Sequence, residues 1–234
     1  MLEIKDIHSY YGTSYILQGV SLKAEKGEVV SLIGRNGAGK TTTLKSIMGI
    51  VRPAQGSIKF NGTEICGLKP FQIARLGLGY VPEDRRIYPD MTIKENMEVA
   101  QIKASSREKK WTLEKIYQFF PHLKSLGEGR LGSHMSGGEQ QMLSIARTLM
   151  GNPDFILLDE PSEGLAPLMV SALADTVIEI KTEGISILLS EQNMKFALKT
   201  TTRSYVIDGG RISFEGAIED LMHNEDIVRE HIAL

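Results

Sequence analysis

Apolar and polar positions alternate through residues 1–33, with Leu2, Ile4 and Ile7, then Val20 and Leu22, then Val29 and Leu32 on the apolar side. Turns are marked by Gly12 and Lys26-Gly27. This period of two predicts short antiparallel strands that lead into a buried one. Residues 34–50 read as a glycine-rich loop and a helix. Alternation returns over 51–83, interrupted at Gly56 and at Asn61-Gly62, a dipeptide favoured in tight hairpins. From about 88 to 150 the period changes. Leu113, Ile116, Tyr117 and Phe120 fall at helical offsets, as do Met142, Ile145, Ala146 and Leu149. The charges around the first set (Arg107, Glu108, Lys109, Lys110, Glu114 and Lys115) read as its solvated face. Residues 155–159 and 185–190 are unbroken apolar runs, as parallel strands covered on both faces require. A helix from near Pro167 between them makes a βαβ crossover. Ile218, Leu221, Met222 and Ile227 form a last short helical pattern. No internal repeat is present, so the chain carries one copy of each motif.

Composition narrows the function classes. The 234 residues are 41% hydrophobic and 24% charged, with a formal charge of −2, a balance that argues against a dedicated nucleic-acid binder. A single cysteine, Cys66, rules out an internal disulfide. Runs such as Val29-Val30-Ser31-Leu32-Ile33 are strand-length and far short of a membrane span. The start, Met1 to Asp6, alternates like a strand and lacks a signal-peptide layout. The expectation is a cytoplasmic protein whose membrane role, if any, comes through a partner.

Three segments carry chemistry. Gly34-Arg35-Asn36-Gly37-Ala38-Gly39-Lys40-Thr41-Thr42 matches the phosphate-binding P-loop pattern between a strand and a helix. Its glycines let backbone N–H groups turn inward around phosphate oxygens, and the helix start adds partial positive charge. Lys40 supplies a cation for the terminal phosphates, and Thr41 a hydroxyl ligand for Mg²⁺. Phe155-Ile156-Leu157-Leu158-Asp159-Glu160 is an apolar strand ending in two acids, placed where ligands of open α/β sheets bind. Asp159 is the candidate Mg²⁺ holder and Glu160 the candidate that orients the attacking water. Ser136-Gly137-Gly138-Glu139-Gln140 opens a helix with a capping box from Ser136 and Glu139. Two glycines in that first turn cost about 1 kcal/mol each relative to alanine, which suits a backbone that something must approach closely.

Taken in order, Gly34–Thr42, Met135–Gln140 and Leu157–Glu160 resemble the Walker A, signature and Walker B motifs of ABC ATPases. The likeness covers essentially the whole chain. It implies an α/β P-loop NTPase fold of ABC-ATPase type, with an antiparallel β-subdomain and a helical subdomain. Residues 1–87 and 151–234 would form the catalytic core, and 88–150 the helical part ending in the signature helix. ATP and Mg²⁺ are the implied substrate and cofactor. Tyr11, before Gly12, resembles the aromatic that stacks on adenine, the alternative being a buried strand tyrosine. Ser162 opens the segment resembling the D-loop. Glu83 stands where most of the superfamily has the Q-loop glutamine, with an expected role at Mg²⁺ and in catalysis. Gln192 stands where most have the switch histidine, with an expected role at the γ-phosphate or as a cap for the next helix. Ala166 replaces the usual D-loop aspartate. None of the histidines, at 8, 122, 134, 223 and 231, falls at the switch, so no imidazole step near pH 6–7 is expected in turnover.

This set of departures resembles the second ATP-binding subunit of branched-chain amino acid importers. The resemblance implies a head-to-tail dimer with a second ATPase, either the same or a paralogous chain. Each ATP would lie between the Walker motifs of one subunit and Ser136, Gly137, Gly138 and Glu139 of the other. Membrane permease subunits would dock near Asp84–Tyr88 on the cytoplasmic face of the membrane, and a periplasmic solute-binding protein would act indirectly. ATPases of lipid or lipopolysaccharide exporters, or of urea and amide importers, remain alternatives. A P-loop kinase or GTPase would leave Ser136–Gln140 unexplained.

Overall fold

The computed structural model describes residues 1–101 and 110–224. Arg107, Glu108, Lys109, Ile227 and His231 of the patterns above lie outside the described residues. The chain begins β1 (Leu2–Tyr11), β2 (Ser14–Ala24), β3 (Val29–Ile33), α1 (Lys40–Ile47), β4 (Gln55–Phe60), β5 (Thr63–Glu64), α2 (Pro70–Leu76) and β6 (Leu78–Val81). Helices follow: α3 (Ile93–Glu98), α4 (Leu113–Phe119), α5 (Pro121–Ser125) and α6 (Gly137–Met150). The last part alternates as β7 (Phe155–Asp159), α7 (Pro167–Thr182), β8 (Ser186–Glu191), α8 (Met194–Thr200), β9 (Arg203–Asp208), β10 (Arg211–Ala217) and α9 (Ile218–His223).

Two sheets result. One is antiparallel in the order β2-β1-β4-β5; the other is ordered β10-β9-β3-β8-β7-β6 and parallel except at β10. The Asn61-Gly62 turn joins β4 to β5 with φ of 50° and 81°, the left-handed pair that such a hairpin demands. The central strands β3, β7 and β8 are buried at every position. Their alternate residues feed two cores. Ile156, Leu158, Ile187 and Leu189 pack toward α3–α7, whereas Phe155, Leu157 and Leu188 pack toward the antiparallel sheet and α1. Near-continuous apolar runs are therefore what these strands need.

Two features escaped the hydrophobic pattern. Helix α2 buries only Ile73, so it shows no apolar stripe; Pro70 in its first turn and the Lys69–Gln72 capping contacts set its start instead. The β9–β10 pair was also unannounced. Tyr205, Val206 and Ile207 are buried, but β10 alternates with only partial burial at the sheet edge.

Leu157 is fully buried and paired to Tyr80 and Leu188 on either side. Leu157→Ala should lower unfolding free energy by about 2–5 kcal/mol. Urea denaturation followed by circular dichroism measures it; a loss below about 1 kcal/mol would mean that this core face collapses to fill the gap.

Candidate functional site

Strands β3 and β7 flank β8, so the loop after β3, the acids ending β7 and the residues after β8 emerge together at the carboxyl edge. Backbone bonds tie these ends: Gly34 N donates to Glu191 O at 3.4 Å, and Glu160 N to Ser190 O at 3.1 Å. In the loop, Arg35, Asn36 and Gly37 are exposed, while Gly34, Ala38, Gly39, Lys40 and Thr42 are buried. Gly37 and Gly39 hold φ of 81° and 115°, values that a residue with a Cβ adopts only under strain.

Lys40 begins α1 and folds its side chain back over the loop. Its Nζ donates to the carbonyls of Gly34 and Arg35 at 2.7 and 2.9 Å, and lies 3.0 Å from Glu160 Oε1. Both partners of that ion pair are buried, at 3% and 7% exposure. Gln192 Nε2 donates to the other carboxylate oxygen of Glu160 at 2.8 Å. Glu160 is thus held at both oxygens, on a backbone of φ 45°. Burial disfavours its charged form, but hydrogen bonds from Glu163 and Gln192 and the Lys40 ammonium outweigh it, keeping its pKa below the usual range. Gln192 does not cap α8: Asn193 does, accepting from Phe196 N at 3.2 Å.

Asp159 is fixed by three hydroxyls. Thr41 Oγ1 and Ser190 Oγ donate to its Oδ1 at 2.9 and 2.7 Å, and Tyr80 OH to its Oδ2 at 2.8 Å. Tyr80 and Ser190 were not among the sequence candidates; their strand positions are ordinary, and only the sheet order brings them to Asp159. Burial, then the Asp159 charge, raises the Tyr80 pKa, so the phenol stays a donor. Glu191 was missed as well. Nearly fully buried, it accepts from the backbone N–H of Ser162, Gln192 and Asn193, each at 3.1 Å. It joins the loop after Glu160 to the loop carrying Gln192. Burial raises its pKa despite those three donors.

The remaining candidates lie around this centre. Glu83 is exposed at the end of β6, and its pKa is raised by desolvation and by the charges of Glu160, Asp159 and Asp84. It therefore sits in the field of the same acids. Tyr11 is 47% exposed at the β1–β2 hairpin, which removes the buried-strand alternative. Ser136 caps α6, with Ser136 N donating to Glu139 Oε2 at 2.6 Å and Glu139 N to Ser136 Oγ at 3.4 Å. A Cβ on Gly137 would stand 3.0 Å from Arg85 Nη1, and one on Gly138 2.7 Å from Met169 Cε. Both glycines are thus closely approached, here by the flexible ends of two side chains of the chain itself.

The residues fit a bound nucleotide. The N-cap of α1, Gly39, makes no side-chain cap hydrogen bond, which suits a helix start whose amides serve phosphate oxygens. Lys40 has drawn three oxygens around its charge, the coordination that phosphate oxygens can supply. Thr41 and Asp159 offer hard oxygen ligands at 2.9 Å from one another, suited to Mg²⁺ completed by water and phosphate. No cluster of three His, Cys, Asp or Glu side chains among the described residues forms an all-protein cage. No described helix is long and apolar enough to cross a membrane.

The family model for ABC transporters matches residues 17–163. The high-affinity branched-chain amino acid transport ATP-binding protein BraG of Pseudomonas aeruginosa is 40% identical over 227 residues, spanning 97% of each chain. The lipopolysaccharide export system ATP-binding protein LptB of Haemophilus influenzae is 32% identical, over 99% of this chain and 97% of its own. Among solved structures, a nucleotide-free ATP-binding cassette from an ABC transporter matches with a TM-score of 0.85 at 29% identity, covering 97% of both chains.

Glu163 adds a titration that the absent switch histidine does not supply. Its hydrogen bond with Glu160, then burial, then the charges of Glu160 and Glu83 push its pKa up to about 7. The folded chain thus holds this proton more tightly than the unfolded one. The stabilisation is complete below the ordinary value of 4.5 and is lost as pH rises through about 7. Thermal midpoints measured at pH 5 and pH 8 should fall further for the wild type than for Glu163→Gln. Equal falls would place the titration on another group.

Proposed function

Because the chain belongs to the ABC transporter family of ATP-binding proteins, we propose that it is the ATPase subunit of an importer for branched-chain amino acids. The observation that carries the catalytic reading is the buried contact from Lys40 through Glu160 to Gln192, at 3.0 and 2.8 Å. One cation for phosphate, one carboxylate for water and one amide holding that carboxylate stand within hydrogen-bond reach of each other.

On arrival, the terminal phosphates of ATP replace Glu160 and the loop carbonyls around Lys40, with the amides at the start of α1 as further donors. Tyr11 offers an exposed ring for the adenine. Mg²⁺, held by Thr41 and Asp159, with Glu83 beside them, would neutralise phosphate charge. Released from Lys40, Glu160 accepts a hydrogen bond from a water and polarises it toward the γ-phosphorus. The new P–O bond forms as the bond to the β-phosphate oxygen breaks, giving ADP and phosphate. Gln192 keeps Glu160 aimed. Its amide donates a hydrogen bond but brings no charge and no titration of its own.

The partners follow from what the chain leaves open. The first turn of α6, with Ser136, Gly137, Gly138 and Glu139, is the surface for the nucleotide of a second cassette in a head-to-tail dimer. A groove of about 500 Å³ between the sheet and the helices is lined by Phe71, Tyr80, Pro82, Tyr88, Val99 and Arg147. Phe71, Tyr88 and Val99 are about half exposed there, apolar surface suited to a permease helix at the cytoplasmic face of the membrane. The 40% identity with BraG supports amino acids as cargo, with a solute-binding protein setting selectivity outside the cell. The likeness to LptB is weaker, and Glu83 and Gln192 depart from the pattern expected of exporters.

Three variants test the roles. Lys40→Ala should weaken binding of a slowly hydrolysed ATP analogue about tenfold to a hundredfold and abolish turnover, read by titration calorimetry and phosphate release. Glu160→Gln should bind ATP yet hydrolyse it at least about a hundredfold more slowly. Wild-type turnover in that variant would place water activation elsewhere. Gln192→Ala removes a hydrogen bond to a charged group and should lower kcat about tenfold to a hundredfold; an unchanged kcat would reduce Gln192 to a bystander.

A further inference from the structure

Arg85 occupies a junction that nucleotide binding alone does not explain. It lies in the turn after β6, where Arg85 and Arg86 hold φ of 59° and 48°, the left-handed region that long side chains rarely adopt. Helix α6 holds the turn in place. The Arg85 carbonyl accepts from Ser144 Oγ and Arg147 Nη2, both at 2.9 Å, and the Arg86 carbonyl from Arg147 Nη1 at 2.7 Å. From this backbone the Arg85 guanidinium reaches back to the start of α6. Its Nε donates to Gln141 Oε1 at 3.2 Å, its Nη1 lies over Gly137, and its Nη2 reaches the Glu163 carbonyl at 3.4 Å.

The Glu163 carbonyl belongs to the turn that sets Glu160, because Glu163 N donates to Glu160 O at 3.1 Å. That turn is also held against its backbone preference, Glu160 having φ 45°. Its grip by Arg85 has slack. The Nη2 bond is long, and Gln141 Nε2 is buried with no partner among the described residues. A shift of residues 162–164 toward Arg85 would shorten the first.

We infer that Arg85 is a positioning residue for Glu160, clamping the 160–164 turn to the first turns of α6 so that the carboxylate is aimed when nucleotide is bound. Arg85 touches neither the reacting atoms nor Lys40 in this arrangement; it acts through the Glu163 carbonyl and with Gln141. The inference rests on Glu160 as the group that acts on water.

The test is steady-state ATP hydrolysis and thermal unfolding of Arg85→Ala, Arg85→Lys, Gln141→Ala and the Arg85→Ala/Gln141→Ala double variant. Arg85→Ala should lower kcat about tenfold through misaim of the carboxylate, with KM for ATP within about twofold. Arg85→Lys meets the same backbone demand and keeps the charge without the fork, so it should recover part of kcat. The double variant should lose no more than the larger of its two single losses, since both side chains act through one clamp. Wild-type kcat in Arg85→Ala overturns the proposal. So does a loss that raises KM in step and follows the unfolding midpoint across the four variants. Persisting turnover in Glu160→Gln would instead remove the premise, and the Arg85 variants do not affect that measurement.

Discussion

Lys40 and Glu160 form an ion pair at 3.0 Å with almost no exposure to water, and the organisation of the site depends on it. Taking both charges from water is unfavourable, and each is tolerated only because the other is present and further hydrogen bonds fill their remaining valences. The sheet supplies those bonds. Lys40 reaches back to two loop carbonyls, and Glu160 takes the Gln192 amide because β8 lies beside β7. Strand order thus does electrostatic work. The same order brings Ser190 to Asp159 and Glu191 to the backbone of Ser162. A pair so arranged is easily exchanged, because phosphate oxygens present Lys40 with the same type of partner that Glu160 does.

This pairing also clarifies why Gln192 can stand where an imidazole is usual. An amide at 2.8 Å holds a carboxylate as well as an imidazole N–H does, and the net charge of the cluster is set by Lys40 and the acids. What changes is titration. The hydrogen bond with Glu160, and then burial, push the Glu163 pKa up to about 7. No imidazole stands at position 192, so a titration in this range would come from the carboxyl pair rather than from a histidine. Two acids three positions apart carry no sequence signal of their coupling, which arises from the side-chain hydrogen bond between them.

Legibility followed the range of the interactions. That Lys40 meets Glu160 and Thr41 meets Asp159 was readable because each sits in a short motif placed at a strand end. The buried strands were readable because burial on both faces leaves unbroken apolar runs. Tyr80, Ser190 and Glu191 were not, since each acts across the sheet and its own neighbours in sequence give no sign of Asp159 or Ser162. Helix α2 escaped for a different reason: one buried residue, Ile73, makes no periodicity. Its start is set by backbone capping and Pro70, signals that a hydrophobic pattern does not register.

The glycines of the signature turn show how a sequence argument can reach a sound premise with an incomplete list of neighbours. Gly137 and Gly138 were expected to leave room for an approaching phosphate. In the isolated chain the room is already bordered by Arg85 on one and Met169 on the other, the first from the turn after β6 and the second from the start of α7. A methyl group at either position would press on a segment adjoining the nucleotide site before any second cassette arrived. Besides the surface expected for an incoming ligand, these glycines thus make room for two side chains of the same chain, Arg85 and Met169. Arg85 links these parts: it meets α6 at Gln141 and Ser144 and reaches the loop after Glu160 at the Glu163 carbonyl.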